Sequence, residues 1–256
     1  MMQIDYSQLL EELREVARDA GREIMRIYES SIEVNFKDDG SPVTLADEAA
    51  ENVILGKLKE IIPDIPIISE ENSSSHQAEV TEQFFLIDPL DGTKEFLKKD
   101  GHGSFTVNIG LIENRIPTLG VVYAPALDRM FFASSATGAF EESKKGIQKI
   151  TIRPVPHSGP IAVASVSHRD ESTNNWLNSN HIKDTISIGS SLKFCLVACG
   201  EADVYPRFGP TMEWDTAAGD AVLRSAGGKV LLPSGELFSY GKSNYRNSAF
   251  IAHGSF

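Results

Sequence analysis

Phe84-Phe85-Leu86-Ile87-Asp88-Pro89-Leu90-Asp91-Gly92-Thr93-Lys94-Glu95-Phe96 is an apolar, aromatic run of strand type that ends in two aspartates, followed by a Gly-Thr pair that opens a helix. Pro89 between the acids fixes its own φ and biases Asp88 toward extended backbone, so the two carboxylates can converge on one point. Carboxylates this close repel each other unless a cation sits between them. Hard oxygen ligands of this kind suit Mg2+, which takes few protein carboxylates and completes its shell with water and substrate phosphate. Free N–H groups around Gly92 and Thr93, at a helix N-terminus, make a phosphate cradle. Metal and cradle together point to phosphoryl chemistry. The competing explanation is a strand-to-helix turn whose aspartates only cap the helix.

Upstream, the spacing predicts a helix from Thr44 to about Ile62, stopped by Pro63. Thr44 and Asp47 stand at capping-box spacing, with aspartate in place of the usual glutamate, so Asp47 reads equally as a cap and as a catalytic acid. Ile65-Pro66-Ile67-Ile68-Ser69-Glu70-Glu71 is a short apolar strand that again ends in acids. Two consecutive strands that deliver carboxylates at their C-terminal ends are hard to explain by solvation alone, and those ends can meet. Between them, Ser73 to Glu82 is polar and aperiodic and reads as a mobile loop. Nearer the N-terminus, Leu9, Leu13, Val16, Ala20, Ile24 and Ile27 form one apolar stripe of a helix over Tyr6–Tyr28, with a charged opposite face. Ile32 to Phe36 suggests a short strand, and Lys37 to Pro42 a turn cluster.

Downstream, four strands are predicted at Phe105–Glu113, Thr118–Ala124, Arg129–Ala133 and Ile147–Arg153, joined by turns into an antiparallel meander. Pro154, Pro156, Gly159 and Pro160 mark a boundary. Beyond it, strands at Ile161–Ala164, Thr185–Ile188 and Ala202–Tyr205 alternate with helices at Asp170–Asn178, Ser190–Cys199 and Trp214–Ala226, and two strands follow at Lys229–Leu232 and Ala249–Ile251. That alternation implies a partly parallel sheet with helices on its faces. The fold class is mixed, α+β with α/β character: an antiparallel-sheet lobe over residues 1–156, then a mixed-sheet lobe over 157–256 that completes the site.

Composition bounds the function. With 256 residues, 41% hydrophobic and 23% charged, the chain can bury a large core. Its net charge of -12 argues against a nucleic-acid polymer as partner, since no basic patch forms without strong local segregation. The N-terminus lacks the basic flank and apolar core of a signal peptide, and no apolar run reaches the roughly 20 residues that span a bilayer. Cys195 and Cys199 stand at helical spacing; a metal pair would need further ligands, and none lies nearby, so reduced core cysteines are expected. The reading is a cytoplasmic protein, a monomer or homodimer.

A third acid, Asp215, lies in Glu213-Trp214-Asp215-Thr216-Ala217-Ala218-Gly219-Asp220, at the start of a small-residue helix where capping is again the competing role. Glu70, Asp88, Asp91 and Asp215 together make the pattern of the metal-dependent, lithium-sensitive phosphatase superfamily that includes inositol monophosphatase and fructose bisphosphatase. The Asp-Pro-Leu-Asp-Gly-Thr and Trp-Asp-Thr-Ala-Ala-Gly segments resemble its two signatures, and the likeness covers nearly the whole chain. Within it the chain resembles the bacterial CysQ type, the 3′(2′),5′-bisphosphate nucleotidases, through Thr93-Lys94-Glu95-Phe96, Phe105-Thr106-Val107-Asn108-Ile109, Ser187 to Cys195 and Asp203 to Thr211. Inositol phosphatases typically have asparagine at the place of Glu95 and lack the Lys193 and Tyr205-Pro206-Arg207 pattern. Gly101-His102-Gly103-Ser104 departs from the common Gly-Glu of relatives, and His102 is given no role.

The resemblance implies a layered α/β/α/β/α sandwich and a set of roles. Glu70, Asp88 and the Leu90 carbonyl would hold one Mg2+; Asp88, Asp91 and Asp215 would hold a second, with a third, weaker ion near Glu70. Asp47 and Thr93 would orient and help deprotonate the attacking water, with Glu70 also counted among the catalytic groups. Gly92, Thr93, Ser190, Lys193, Arg207, Asp215 and His168 would contact the nucleotide, Lys193 and Arg207 on its 5′-phosphate. By local sequence alone, Lys193 and Arg207 are ordinary surface charges and His168 a solvated loop histidine. The implied reaction is hydrolysis of adenosine 3′,5′-bisphosphate (PAP) to AMP and phosphate, with its sulfated parent (PAPS) as a second substrate, in sulfate assimilation and nucleotide clearance. Some relatives associate peripherally with the inner membrane. Two alternatives stand beside it: a phosphatase of inositol or sugar phosphates, which would have no second anion for Lys193 and Arg207, and a catalytically silent nucleotide sensor.

Overall fold

Asp5 accepts hydrogen bonds from the N–H groups of Ser7 and Gln8 and so starts helix α1 (Tyr6–Tyr28), whose predicted apolar stripe is buried along its length. This computed structural model describes residues 5–30, 34–36, 42–99, 103–165 and 170–256, with 34–36 and 42–43 described through their backbone. Strands β1 (Val34–Phe36) and β2 (Pro42–Thr44) pair antiparallel, and Pro42 therefore belongs to a strand rather than to the predicted turn, whose residues 37–41 lie outside the described ones. Helix α2 (Leu45–Ile61) opens on a complete capping box: Thr44 caps it, and Asp47 returns a bond to the Thr44 N–H at 2.7 Å.

The large sheet runs in the order β3 (Ile67–Ser69), β4 (Gln83–Asp91), β5 (Thr106–Glu113), β6 (Ile116–Ala124), β7 (Arg129–Ser134), β8 (Gly138–Ser143), β9 (Gly146–Ile150), with helix α3 (Thr93–Lys98) leaving the end of β4. β3 lies parallel to β4; every other neighbour is antiparallel, as the meander required. β8 was not expected. Its charged pair Glu141-Glu142 hides the alternation, and the fold neutralises those charges against Arg129 and against Arg14 and Arg18 of α1.

The second sheet comprises β10 (Ile161–Ala164), β11 (Asp184–Ser187), β12 (Val204–Arg207), β13 (Lys229–Leu231) and β14 (Phe250–His253), in the order β11-β10-β12-β14-β13. β10 is parallel to both β11 and β12, whereas β14 is antiparallel to its neighbours. Helices α4 (Glu171–Ser179), α5 (Leu192–Ala198) and α6 (Ala217–Ser225) alternate with these strands. α5 and α6 start later than their sequence predicts: Ser190 has φ +51° and cannot be helical, and Trp214 and Asp215 fall in the turn before α6.

Three apolar clusters define five layers. One unites α1 and α2 with one face of the large sheet, a second unites its other face with α5, α6 and the second sheet, and a third packs α4 on the far side. Mixed α/β layering of α/β/α/β/α type is therefore the fold. α6 comes close to the large sheet because β5 and β6 present glycines: a Cβ on Gly120 would lie 2.3 Å from the Ala218 carbonyl, and one on Gly110 2.9 Å from Ala217. The segment read as a mobile loop contains a 3-10 turn, Ser73–Gln77, whose His76 ring stacks on Trp214 at 4.8 Å. No periodicity announces a turn held by a stack on a residue so distant in sequence.

Candidate active site

Parallel pairing of β3 with β4 brings their C-terminal ends to the same edge of the sheet. The Glu70 N–H donates to the Ile87 carbonyl at 3.0 Å, which places Glu70 beside Asp88. Between Asp88 and Asp91 the ladder with β5 shifts register, and the Asp88 carboxylate accepts the Leu90 N–H at 3.0 Å. Asp215 arrives from the opposite side, in the turn that α6 presses onto the sheet, with its carboxylate fixed by the Met212 N–H at 2.8 Å. One oxygen each from Glu70, Asp88 and Asp215 lie within 4.8 Å of one another. Asp91 borders the same cluster, its carboxylate 3.0 Å from the Ser191 hydroxyl, which is also 2.7 Å from the Asp215 carbonyl.

Burial pushes the carboxyls of Asp88 and Asp215 well above the ordinary range, and the neighbouring acids push them further. Asp91 is raised to about 6 by burial, against the opposing charge of Lys193. Converging hard oxygens that resist ionising together fit a divalent cation of the Mg2+ type, whose charge would replace the protons. Glu70, Asp88, Asp91 and Asp215 are the residues that can hold it. The Leu90 carbonyl accepts from the Thr93 hydroxyl at 3.3 Å and is one residue from Asp91.

Thr93 opens α3 next to Gly92, which has φ +92° and would bring a Cβ to 3.1 Å from the Ser104 carbonyl; only glycine makes this turn without strain. The Thr93 hydroxyl lies 3.4 Å from Asp47 Oδ1, while Asp47 Oδ2 is held by the Thr44 N–H and hydroxyl. The cap and the Thr93 partner are thus the same carboxylate, using different oxygens.

Lys193 on α5 and Arg207 on β12 are buried, not surface charges. Lys193 donates to the Ser190 carbonyl at 2.6 Å; burial lowers its pKa to about 8, with Arg207 adding to the shift and Asp91 opposing it. The Arg207 guanidinium is anchored on the carbonyls of Gly209 and Pro210 at 3.2 and 2.8 Å. Both cations line one cleft of 370 Å3 together with Glu70, Asp88, Leu90, Asp91, Gly92, Thr93, Ser190 and Asp215. Asp47 stands behind Thr93, and His168 lies outside the described residues. The cleft also takes in Glu95, Tyr205 and Met212, which sequence reasoning did not assign. Tyr205 was findable, since it alternates with Arg207 on the same strand. Ser191 carried no local signal, because its partners lie on other elements.

Residues 5–254 match the inositol monophosphatase family. A protein of Salmonella typhimurium named 3′(2′),5′-bisphosphate nucleotidase CysQ is 46% identical over 237 residues, spanning 91% of this chain and 94% of that one. A homologue with the same name in Aggregatibacter actinomycetemcomitans is 34% identical over 98% of this chain and 94% of its own. Among solved structures, CysQ from Bacteroides thetaiotaomicron superposes with a TM-score of 0.84 at 34% identity, covering 99% of this chain and all of that one (100%). The inositol monophosphatase from Anabaena gives a TM-score of 0.75 at 26% identity, over 98% of this chain and 92% of that one. By sequence match, fold and the carboxylate set at its centre, the chain belongs to the inositol monophosphatase family, as a phosphatase of the CysQ type.

Proposed function

We propose that this enzyme hydrolyses the 3′-phosphate of adenosine 3′,5′-bisphosphate, and of its sulfated parent nucleotide, in a Mg2+-dependent reaction that clears these nucleotides during sulfate assimilation in the cytoplasm. The observation that carries the reading is that one cleft is lined both by four carboxylates, Glu70, Asp88, Asp91 and Asp215, and by two buried cations, Lys193 and Arg207. A cation-filled carboxylate zone accepts the phosphate that is cleaved, and the buried cation pair accepts a second anion that stays. A substrate with a single phosphate leaves that pair unused. The likeness to enzymes named bisphosphate nucleotidases supports the same assignment.

Glu70, Asp88, Asp91, Asp215 and the Leu90 carbonyl would hold Mg2+, two ions and a weaker third, which would supply Lewis-acid chemistry by lowering the pKa of a water and neutralising charge on the phosphoryl group. The residues do the rest. Thr93 Oγ1 takes a proton from the attacking water while passing its own to Asp47 Oδ1, the oxygen not committed to the helix cap. Backbone N–H groups of Gly92 and Thr93 bind the phosphate undergoing attack. The P–O bond to the ribose 3′-oxygen breaks in line, that oxygen takes up a proton from solvent, and phosphate and AMP result. Lys193, Arg207 and Ser190 hold the 5′-phosphate throughout. Phosphate release should be fast from the adenosine bisphosphate and slow from inositol monophosphate and fructose bisphosphate, and should vanish without Mg2+. Equal rates on inositol monophosphate would reject the nucleotide assignment, and undiminished rates in chelator would reject the metal.

A further inference from the structure

Thr106 and Asn108 of β5 are completely buried, and three of their side-chain atoms, Thr106 Oγ1 and both Asn108 Nδ2 and Oδ1, have no hydrogen-bond partner among the described residues. A buried amide or hydroxyl left unpaired is costly, and such groups in folded proteins are nearly always satisfied. Their place in the sheet indicates by what. In the antiparallel ladder Asn108 stands directly opposite Asp88, and Thr106 directly opposite Asp91. Side chains of directly opposed residues point to the same face, with their Cβ atoms about 5 Å apart. Alternation agrees: Val107 and Ile109 pack with α1 and α2, so Thr106 and Asn108 face the other way, toward α6 and the carboxylates. Gly110, the next residue on that face, is where Ala217 of α6 touches the strand. Thr106 and Asn108 therefore lie buried beside the two aspartates, on the face of the sheet that α6 covers.

We propose that Thr106 and Asn108 are positioning residues of the metal site: their hydroxyl and amide N–H groups donate, through an enclosed water, to the carboxylates of Asp88 and Asp91, and fix the oxygens that face the cation. Both aspartates are acceptor-only when ionised, and a hydroxyl and an amide are the donors that suit them. Partners of this kind, behind the ligands themselves, typically set metal affinity by ten- to a hundredfold. The proposal rests on the metal site proposed above and is independent of which phosphate ester is cleaved.

The test reads metal binding without substrate. Thr106→Val removes only the hydroxyl at nearly constant shape, and Asn108→Leu replaces the amide with an apolar group of similar size. In chelator, both variants should still unfold in one cooperative transition, at or below the wild-type temperature, because each has lost a donor to a buried carboxylate. In a Mg2+ titration followed by melting temperature and by calorimetry, each should need about tenfold more Mg2+ for half-saturation. Asn108→Ser, which retains a donor, should recover part of the loss, and KM for the nucleotide at saturating Mg2+ should stay at the wild-type value. Unchanged Mg2+ affinity in Thr106→Val and in whichever Asn108 variant folds would overturn the proposal. A raised KM with unaltered Mg2+ affinity would overturn it too, and would place the two residues in nucleotide binding. Failure of the wild type to bind Mg2+ at all removes the metal site, and this proposal with it.

Discussion

Asp47 divides its work between two oxygens. Oδ2 closes the cap of α2 on Thr44, and Oδ1 faces the Thr93 hydroxyl at 3.4 Å. Asparagine can keep an oxygen on the cap while turning its amide toward Thr93, so Asp47→Asn should fold with at most the loss of a cap, about 1 kcal/mol, yet lose proton acceptance. Turnover should fall by roughly a hundredfold or more in Asp47→Asn and in Thr93→Ala, and the double variant should be little worse than the poorer single one. Fully additive losses in kcat would mean that the two do not act as a unit. Arg207 separates binding from chemistry. It would grip a phosphate that does not change in the reaction, so its interaction is the same in ground and transition states, and Arg207→Ala should mainly raise KM. A charge-assisted bond is worth about 1.5–3 kcal/mol, hence on the order of ten- to a hundredfold in kcat/KM for the bisphosphate. Slow hydrolysis of 3′-AMP, which has no 5′-phosphate, should be unaffected; equal losses on both substrates would assign Arg207 to the scaffold or the chemistry.

At the scale of elements, the site depends on how deeply α6 sinks onto the large sheet. Gly110 of β5 and Gly120 of β6 leave room for the backbone at Ala217 and Ala218, and Gly219 leaves room for Phe194 of α5. These contacts set the distance between Asp215, just ahead of α6, and Asp88 at the end of β4. Gly120→Ala would drive a methyl group into the Ala218 carbonyl and force the helix off the sheet. The cost should be about 1–3 kcal/mol of stability, seen as a lower melting temperature. Moving Asp215 outward should also raise the Mg2+ concentration for half-maximal activity. A variant that melts earlier with unchanged Mg2+ dependence would show that the turn at 211–216 holds Asp215 on its own, through Met212 and the Asn247 bonds to Thr211 and Met212.

Over the whole molecule, the net charge of -12 and the enclosed carboxylates make stability a function of pH and metal together. Asp91 is raised to about 6 by burial, and Asp88 and Asp215 are raised too, first by burial and then by the neighbouring acids Glu70 and Asp91. A carboxyl whose folded-state pKa lies above its unfolded value of about 3.9 stabilises the fold fully below that value and loses the contribution as pH climbs through the folded pKa. The metal-free protein should therefore lose stability between about pH 4 and neutrality on account of this cluster. Mg2+ replaces the protons, so the rise in melting temperature on adding it should be larger at pH 7.5 than at pH 5.5. An equal rise at both values would uncouple the acids from the metal. Much of this was legible in the sequence because the signals are local: the 3.6-residue stripe of α1, the Thr44/Asp47 cap, and the run into Asp88 and Asp91 each follow from residues within a few positions of one another. So did the order of strands and helices, apart from β2, which pairs with β1 where a turn was expected, and β8, where Glu141 and Glu142 find their cations only across the fold. What only the tertiary structure decided is whatever depends on distance between elements: the parallel seat of β3 that sets Glu70 beside Asp88, the burial that turns Lys193 and Arg207 from surface charges into the lining of a cleft, and the register that puts Asn108 opposite Asp88. Desolvation and cross-strand pairing arise between segments that the chain order keeps apart, and a linear pattern holds no record of them until the layers close.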